Sequence, residues 1–223
     1  GSNEVYRVCG MRDMRASVAG FIALLLIAAG GFETQASTDD TDAGSNEADS
    51  HLIKLVSAKD SKLTPSEVSS LLANGASPSA IGDYNYTALM WSIVRHTSDV
   101  SRLLVERGAD LERVNAWGRN ALFLAAWEGE AATIDVMLEH RANASSCAAH
   151  DEWTALHKAV EMGHTRIVQS LLDAGVDPSA RTLPDKSFTE GVTPLMLANG
   201  RVSNHDQIRA MLNERLGLSK DEL

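Results

Sequence analysis

The sequence is short of the features that staple small folds or build catalytic centres. Its 223 residues include two cysteines, Cys9 and Cys147. Cys9 falls in an N-terminal leader, so Cys147 has no partner in the body of the chain and packing must hold the fold. Cations are scarce as well: 20 Lys and Arg against 30 Asp and Glu, a net charge of −10. The leader's three basic residues (Arg7, Arg12, Arg15) cancel its three acidic ones (Glu4, Asp13, Glu33), so everything after the leader together carries the whole imbalance. That argues against nucleic acid as a partner, because phosphate binding needs a basic footprint. There is no glycine-rich phosphate loop, no Gly-x-Ser-x-Gly elbow and no Cys–His nucleophile arrangement. His96, His140, His150 and His205 lack metal-ligand spacing to Cys or acidic neighbours. No enzymatic activity, metal or cofactor is expected. Aromatics make up only 5% of the chain, so where they fall carries information.

Long apolar runs are also missing, with one exception. Ala16 to Phe32 is uncharged and centres on "FIALLLI"; Arg12 and Arg15 precede it, and "TQA" before Ser37 offers a small-residue cleavage site. Met11 or Met14 would make a natural start. This is the layout of a secretory signal peptide. An uncleaved signal-anchor is the alternative: residues 16–32 would span about 25 Å as a helix, the short limit for a bilayer. Arginines on the N-terminal side would then stay cytosolic. Both readings send the rest of the chain to the non-cytosolic side. The final Lys220-Asp221-Glu222-Leu223 spells a retention address for the endoplasmic reticulum. The expected location is therefore the lumen of that compartment, with a bacterial periplasm as the alternative. Between leader and body, residues 37–50 ("STDDTDAGSNEADS") hold no large apolar side chain and read as an acidic flexible linker.

The body is periodic. "YTALMWSIVRH", "NALFLAAWEGE", "TALHKAVEMGH" and "TPLMLANGRVS" align on Thr87, Asn120, Thr154 and Thr193, spaced 33, 34 and 39 residues apart. A second marker, "LLANGAS", "LLVERGAD", "MLEHRAN" and "LLDAGVD", aligns on Gly75, Gly108, Arg141 and Gly175, spaced 33, 33 and 34. Two independent markers keep one period, the signature of stacked repeats. Thr87, Thr154 and Thr193 suit helix caps, and Pro194 suits a first helical turn. Leu89, Leu122, Leu156 and Leu195 point inward in this reading, with Ala125, Ala159 and Ala198 allowing close helix approach. Gly75, Gly108 and Gly175 suit left-handed helix termini; Arg141 takes that place in the third unit and Asn120 that of the Thr, so the third unit is expected to be the least ideal. Gly200 predicts a shortened helix in the last unit.

These motifs resemble the ankyrin repeat, whose Thr-Pro-Leu-His tetrapeptide is closest at Thr154-Ala155-Leu156-His157 and Thr193-Pro194-Leu195-Met196. The resemblance covers about residues 51–216. It implies an all-α solenoid of about five helix-turn-helix units with short β-turn fingers, near 51–82, 83–115, 116–149, 150–182 and 183–216. The first and last would be capping units. His157 and His164 match the family's structural histidines and are expected to brace turns.

The resemblance also implies non-catalytic protein binding, in the concavity lined by the turns and first-helix faces. Those places carry Asp83, Tyr84, Tyr86, Arg95, Ala116, Trp117, Arg119, Trp127, Glu128, His150, Asp151, Trp153, Glu161 and Met162. Trp91 alone among the tryptophans takes a core register. Stacking repeats does not require aromatics on a solvent-facing turn, and Trp, Tyr and Arg dominate interface energetics. The expectation is a groove for a peptide or protein segment lined by Tyr84, Tyr86, Trp117, Trp127 and Trp153, with Arg95, Arg119, Glu128, Glu161 and Met162 beside them. The acidic balance favours a basic partner. The second functional reading is an assembly subunit of a membrane complex, anchored by residues 16–32. Two glycosylation sequons occur, at Asn85 and Asn143; in a lumenal domain Asn143, on a turn, is the better acceptor.

Overall fold

The computed structural model describes residues 47–58, 63–146, 152–184, 190–198 and 204–218. The leader, most of the linker, His150, Asp151 and the C-terminal tetrapeptide lie outside the described residues. Among those described are ten α-helices and no strand: α1 (Glu47–Ser57), α2 (Pro65–Ala73), α3 (Ala88–Val94), α4 (Ser98–Glu106), α5 (Ala121–Glu128), α6 (Ala131–Glu139), α7 (Ala155–Met162), α8 (Thr165–Asp173), α9 (Pro194–Leu197) and α10 (His205–Leu216). They pair off as five helical hairpins. Odd-numbered helices stack in one row, even-numbered ones in a second, and the odd row packs more closely. None of these helices is long and apolar enough to cross a membrane.

In the second to fifth hairpins the first helix starts where a polar side chain takes up an orphan backbone donor. Thr87 accepts the Met90 N–H at 3.2 Å, Asn120 the Phe123 N–H at 2.9 Å, and Thr193 the Met196 N–H at 3.3 Å. Asn120 thus does the work of the expected Thr. Thr154 accepts from the His157 N–H at 3.4 Å, and His157 Nδ1 accepts the Thr154 N–H at 3.3 Å, a reciprocal cap. Such caps contribute about 1 kcal/mol each. Second helices end where predicted: Gly75, Gly108 and Gly175 have φ of 94°, 83° and 83°, and Arg141 is forced to 65°. The fingers are narrow. Ile81 and Thr87 form a bridge, and the Asn115 N–H reaches the Arg119 carbonyl at 3.0 Å.

The core runs unbroken along the stack. Leu89, Leu122 and Leu156 from the first helices and Leu104, Met137 and Leu171 from the second are essentially inaccessible to water. Ala125 and Ala159, also buried, let neighbouring first helices approach. Truncating one of these leucines to Ala costs about 2–5 kcal/mol in a packed core. Histidines strut one repeat against the next. His164 Nε2 donates to the Trp127 carbonyl (3.3 Å), His157 Nε2 to that of Val192 (3.0 Å) and His205 Nε2 to that of Val160 (2.9 Å).

One boundary differs from the sequence reading. The first helix begins at Glu47, inside the stretch assigned to the flexible linker. Its acidic first turn complements the helix dipole, and Asp49 accepts the Ser77 N–H at 2.6 Å, so residues that looked like spacer are held. Helix α9 is a single turn, Pro194–Leu197, as Gly200 led one to expect.

Candidate functional site

The helix caps set a common register along the repeats. The residue just before each cap is Tyr86, Arg119, Trp153 and Val192; the fourth residue after it is Trp91, Leu124, Lys158 and Leu197. Each finger tip sits three residues before the cap, at Tyr84 in one repeat and Trp117 in the next. Equivalent positions line up when repeats stack, so these side chains share one side of the molecule, with the first helices.

The fingers bring rings together. Tyr84 and Trp117 lie 5.5 Å apart, and Trp117 meets Tyr86 edge-on at 6.0 Å. Tyr84 and Trp117 are 51% and 37% exposed, and Ile81 and Val114 in the same fingers are exposed too. The Ala116 N–H donates to the Tyr84 carbonyl at 2.9 Å and ties the two fingers. Tyr84 and Asn85 hold φ of 56° and 57°. Two successive side-chain-bearing residues in the left-handed region store strain of about 1 kcal/mol or more. The fold keeps Tyr84 at the tip in spite of it.

Further along, cations alternate with rings. The Arg119 guanidinium lies 4.6 Å from the Trp127 ring centre and 5.6 Å from that of Phe123. The Lys158 ammonium lies 4.5 Å from the Trp127 ring centre and 4.7 Å from that of Trp153. Glu161, one turn on in α7, accepts a hydrogen bond from Lys158. Lys158 is buried, and the carboxylate and rings offset the cost of taking its charge out of water. Arg119 also lies near enough to Tyr86 to act on its titration, which links the two ring groups. The line Tyr84–Trp117–Tyr86–Arg119–Trp127–Lys158–Trp153 crosses three repeats.

Several sequence-predicted residues are brought to this line but in different roles. Tyr86 is only 3% exposed, beneath Trp91 (5.0 Å) and Trp117, so it is a floor and not an open face. Burial pushes its phenol up to about 12, against the lowering pull of Arg119 and the Asn115 amide. Arg95 turns back and donates to the Leu55 and Val56 carbonyls, each at 3.3 Å, closing the end of α1. Glu128, with a side chain 4% exposed, faces His96 Nε2 at 3.3 Å, while Glu130 meets Nδ1 at 2.8 Å. Both charges thus have local structural partners. Trp127 and Trp153 are half-buried and not bare. Met162, 41% exposed, stands at the end of α7. Asn85 and Asn143 are exposed. Lys158 escaped the sequence reading; a cation in the register of Trp91 and Leu124 was the signal.

The family described as "Ankyrin repeats (3 copies)" matches residues 52–147, 111–182 and 145–221. The chain belongs to the ankyrin-repeat family. Such repeats are typically non-catalytic modules of protein–protein interaction. Among curated proteins, the 2-5A-dependent ribonuclease of Mus musculus is 34% identical over 79 residues, 35% of this chain and 10% of the ribonuclease. Palmitoyltransferase AKR1 of Lachancea kluyveri is 27% identical over 125 residues, 52% of this chain and 16% of that enzyme. The chain spans a sixth or less of these relatives, so the likeness is to a short segment of each.

Proposed function

We propose that this ankyrin-repeat domain captures an extended protein segment along the finger and first-helix side, with no chemistry of its own. The observation that supports it is the ring-and-cation line across three repeats, exposed at Tyr84 and Trp117 and preorganised by stacking. Rigid aromatic anchors bind at low entropic cost, and an apolar patch held in place against backbone strain is what an interface requires. The domain's acidic balance speeds encounter with a basic segment. We further propose that it works on the lumenal side of the secretory pathway, from the leader and the Lys-Asp-Glu-Leu tail.

The decisive experiment is proximity crosslinking in cells of the full chain and of a Tyr84→Ala/Trp117→Ala variant, with the crosslinked proteins identified. One or a few partners lost from the variant, at an unchanged melting temperature, is the expected result. An identical partner set from both proteins would overturn the reading. For location, deleting residues 220–223 should release the chain into the medium; unchanged distribution would overturn retention.

A further inference from the structure

This inference rests on the binding face proposed above and names what one part of it recognises. Two indole rings against one ammonium, with a carboxylate hydrogen-bonded to it, are the components of an ammonium receptor. Here Trp127, Trp153 and Glu161 supply them, and the occupant is this chain's own Lys158. The occupant is out of keeping with its register. Leu124 and Leu197 stand at the same place in neighbouring repeats and are buried hydrocarbon, as core packing alone would select. Lys158 reaches the cleft on a flexible four-carbon stem, while Trp127 and Trp153 keep part of their surface in water. The chain's charge of −10 concentrates cationic segments around it.

We infer that the Trp127–Trp153 cleft is a recognition site for a lysine-type alkyl-ammonium side chain on the partner, and that Lys158 holds the place until the partner arrives. On capture Lys158 swings out to water, and the incoming ammonium takes over both ring contacts and the bond to Glu161. One ammonium replaces another, so the exchange conserves the contacts in the cleft. The cleft therefore selects a cation over an apolar side chain, and affinity comes from the rest of the segment along Tyr84 and Trp117.

The test empties the cleft in the full chain with Lys158→Ala. The probes are Nα-acetyl-lysine methylamide and its norleucine isostere, followed through the indole N–H resonances of the four tryptophans. Saturable shifts at Trp127 and Trp153, with Trp91 and Trp117 still, are expected from the lysine probe. The norleucine probe should bind about tenfold more weakly, the discrimination one well-placed cation–ring contact supplies. Wild-type protein should respond less than the variant, because Lys158 competes. Absence of saturation, or equal response to both probes, would overturn the assignment. If Lys158→Ala fails to fold for want of a partner for Glu161, Lys158→Ala/Glu161→Gln leaves no carboxylate unpaired and keeps both rings. The lysine probe should then bind more weakly but still in preference to norleucine, and no preference would overturn the assignment. Partner capture that depends on Tyr84 and Trp117 without probe binding would sink the lysine assignment alone. Probe binding without any capture would sink the binding face and leave the cleft standing.

Discussion

Repeats two and four fill the same two positions with different chemistry. Before and after the cap, repeat two has Tyr86 and Trp91, ring against ring at 5.0 Å. Repeat four has Trp153 and Lys158, ring against ammonium at 4.7 Å. The backbone is alike in both, with a Thr cap and a first helix behind it. In the first case two hydrocarbon faces and the Trp117 edge seal the junction and Tyr86 is lost to solvent. In the second, the ring beside the cation stays half-buried and the charge needs Glu161 as well. A repeat register therefore fixes which way a side chain points, and its cross-register neighbour decides whether water reaches it.

Four substitutions test that contrast. The largest loss is expected from Trp127→Ala, which takes one ring from both cations at once and leaves a void beside Phe123. Denaturant unfolding should show a loss of about 2–3 kcal/mol, less than a fully buried aromatic costs because the ring is half-buried. A loss below about 1 kcal/mol would mean that the cations are held without the ring.

Tyr86→Phe comes next and shows itself only in alkali. The folded phenol ionises near 12 because burial opposes the charge, whereas the unfolded one ionises near 10. A raised folded value means that stability is intact below pH 10 and falls as the pH climbs toward 12, since the unfolded state sheds its proton first. The wild type should thus lose about 2 kcal/mol more than the Phe variant by pH 12. Parallel stability curves for the two proteins would show that the phenol is wetter than its 3% exposure implies.

A smaller, favourable effect is expected at the end of α6. Arg141→Gly places the permissive residue where φ is 65°, matching Gly108 and Gly175 in the flanking repeats. A gain of about 1 kcal/mol should appear as a raised melting temperature. The smallest effect belongs to Tyr84→Ala. Half exposed and at a finger tip, that ring should leave stability within about 0.5 kcal/mol while weakening capture. A large loss of stability there would make the tip part of the core.

Much of this fold could be read from the chain. Thr87, Asn120, Thr154 and Thr193 mark the helix starts because a cap is a local event, settled by one side chain and the three residues after it. The glycines that end α2, α4 and α8 are legible for the same reason. What escaped was settled at a distance. Glu47 begins a helix because Leu52 and Val56 bury themselves and Asp49 finds the Ser77 N–H, 28 residues on. Arg95 looked like a surface cation, yet it closes α1 through the Leu55 and Val56 carbonyls. The depth of the rings was not legible, because it depends on Trp91, Arg119 and Lys158 arriving from other turns. Lys158 was missed, although a cation in an apolar register was the signal that could have found it.

The histidine struts have a consequence for how the molecule can be shortened. His205 and Asn204, both in the last hairpin, donate to the carbonyls of Val160 and Gly163 at the end of α7. His157 in turn donates to Val192 in the last finger. Cutting the chain ahead of residue 190 would strip acceptors and donors from the fourth hairpin as well as deleting the fifth. The fraying would then start next to Lys158 and Glu161. The terminal hairpin acts as a bracket for the cleft it does not itself line.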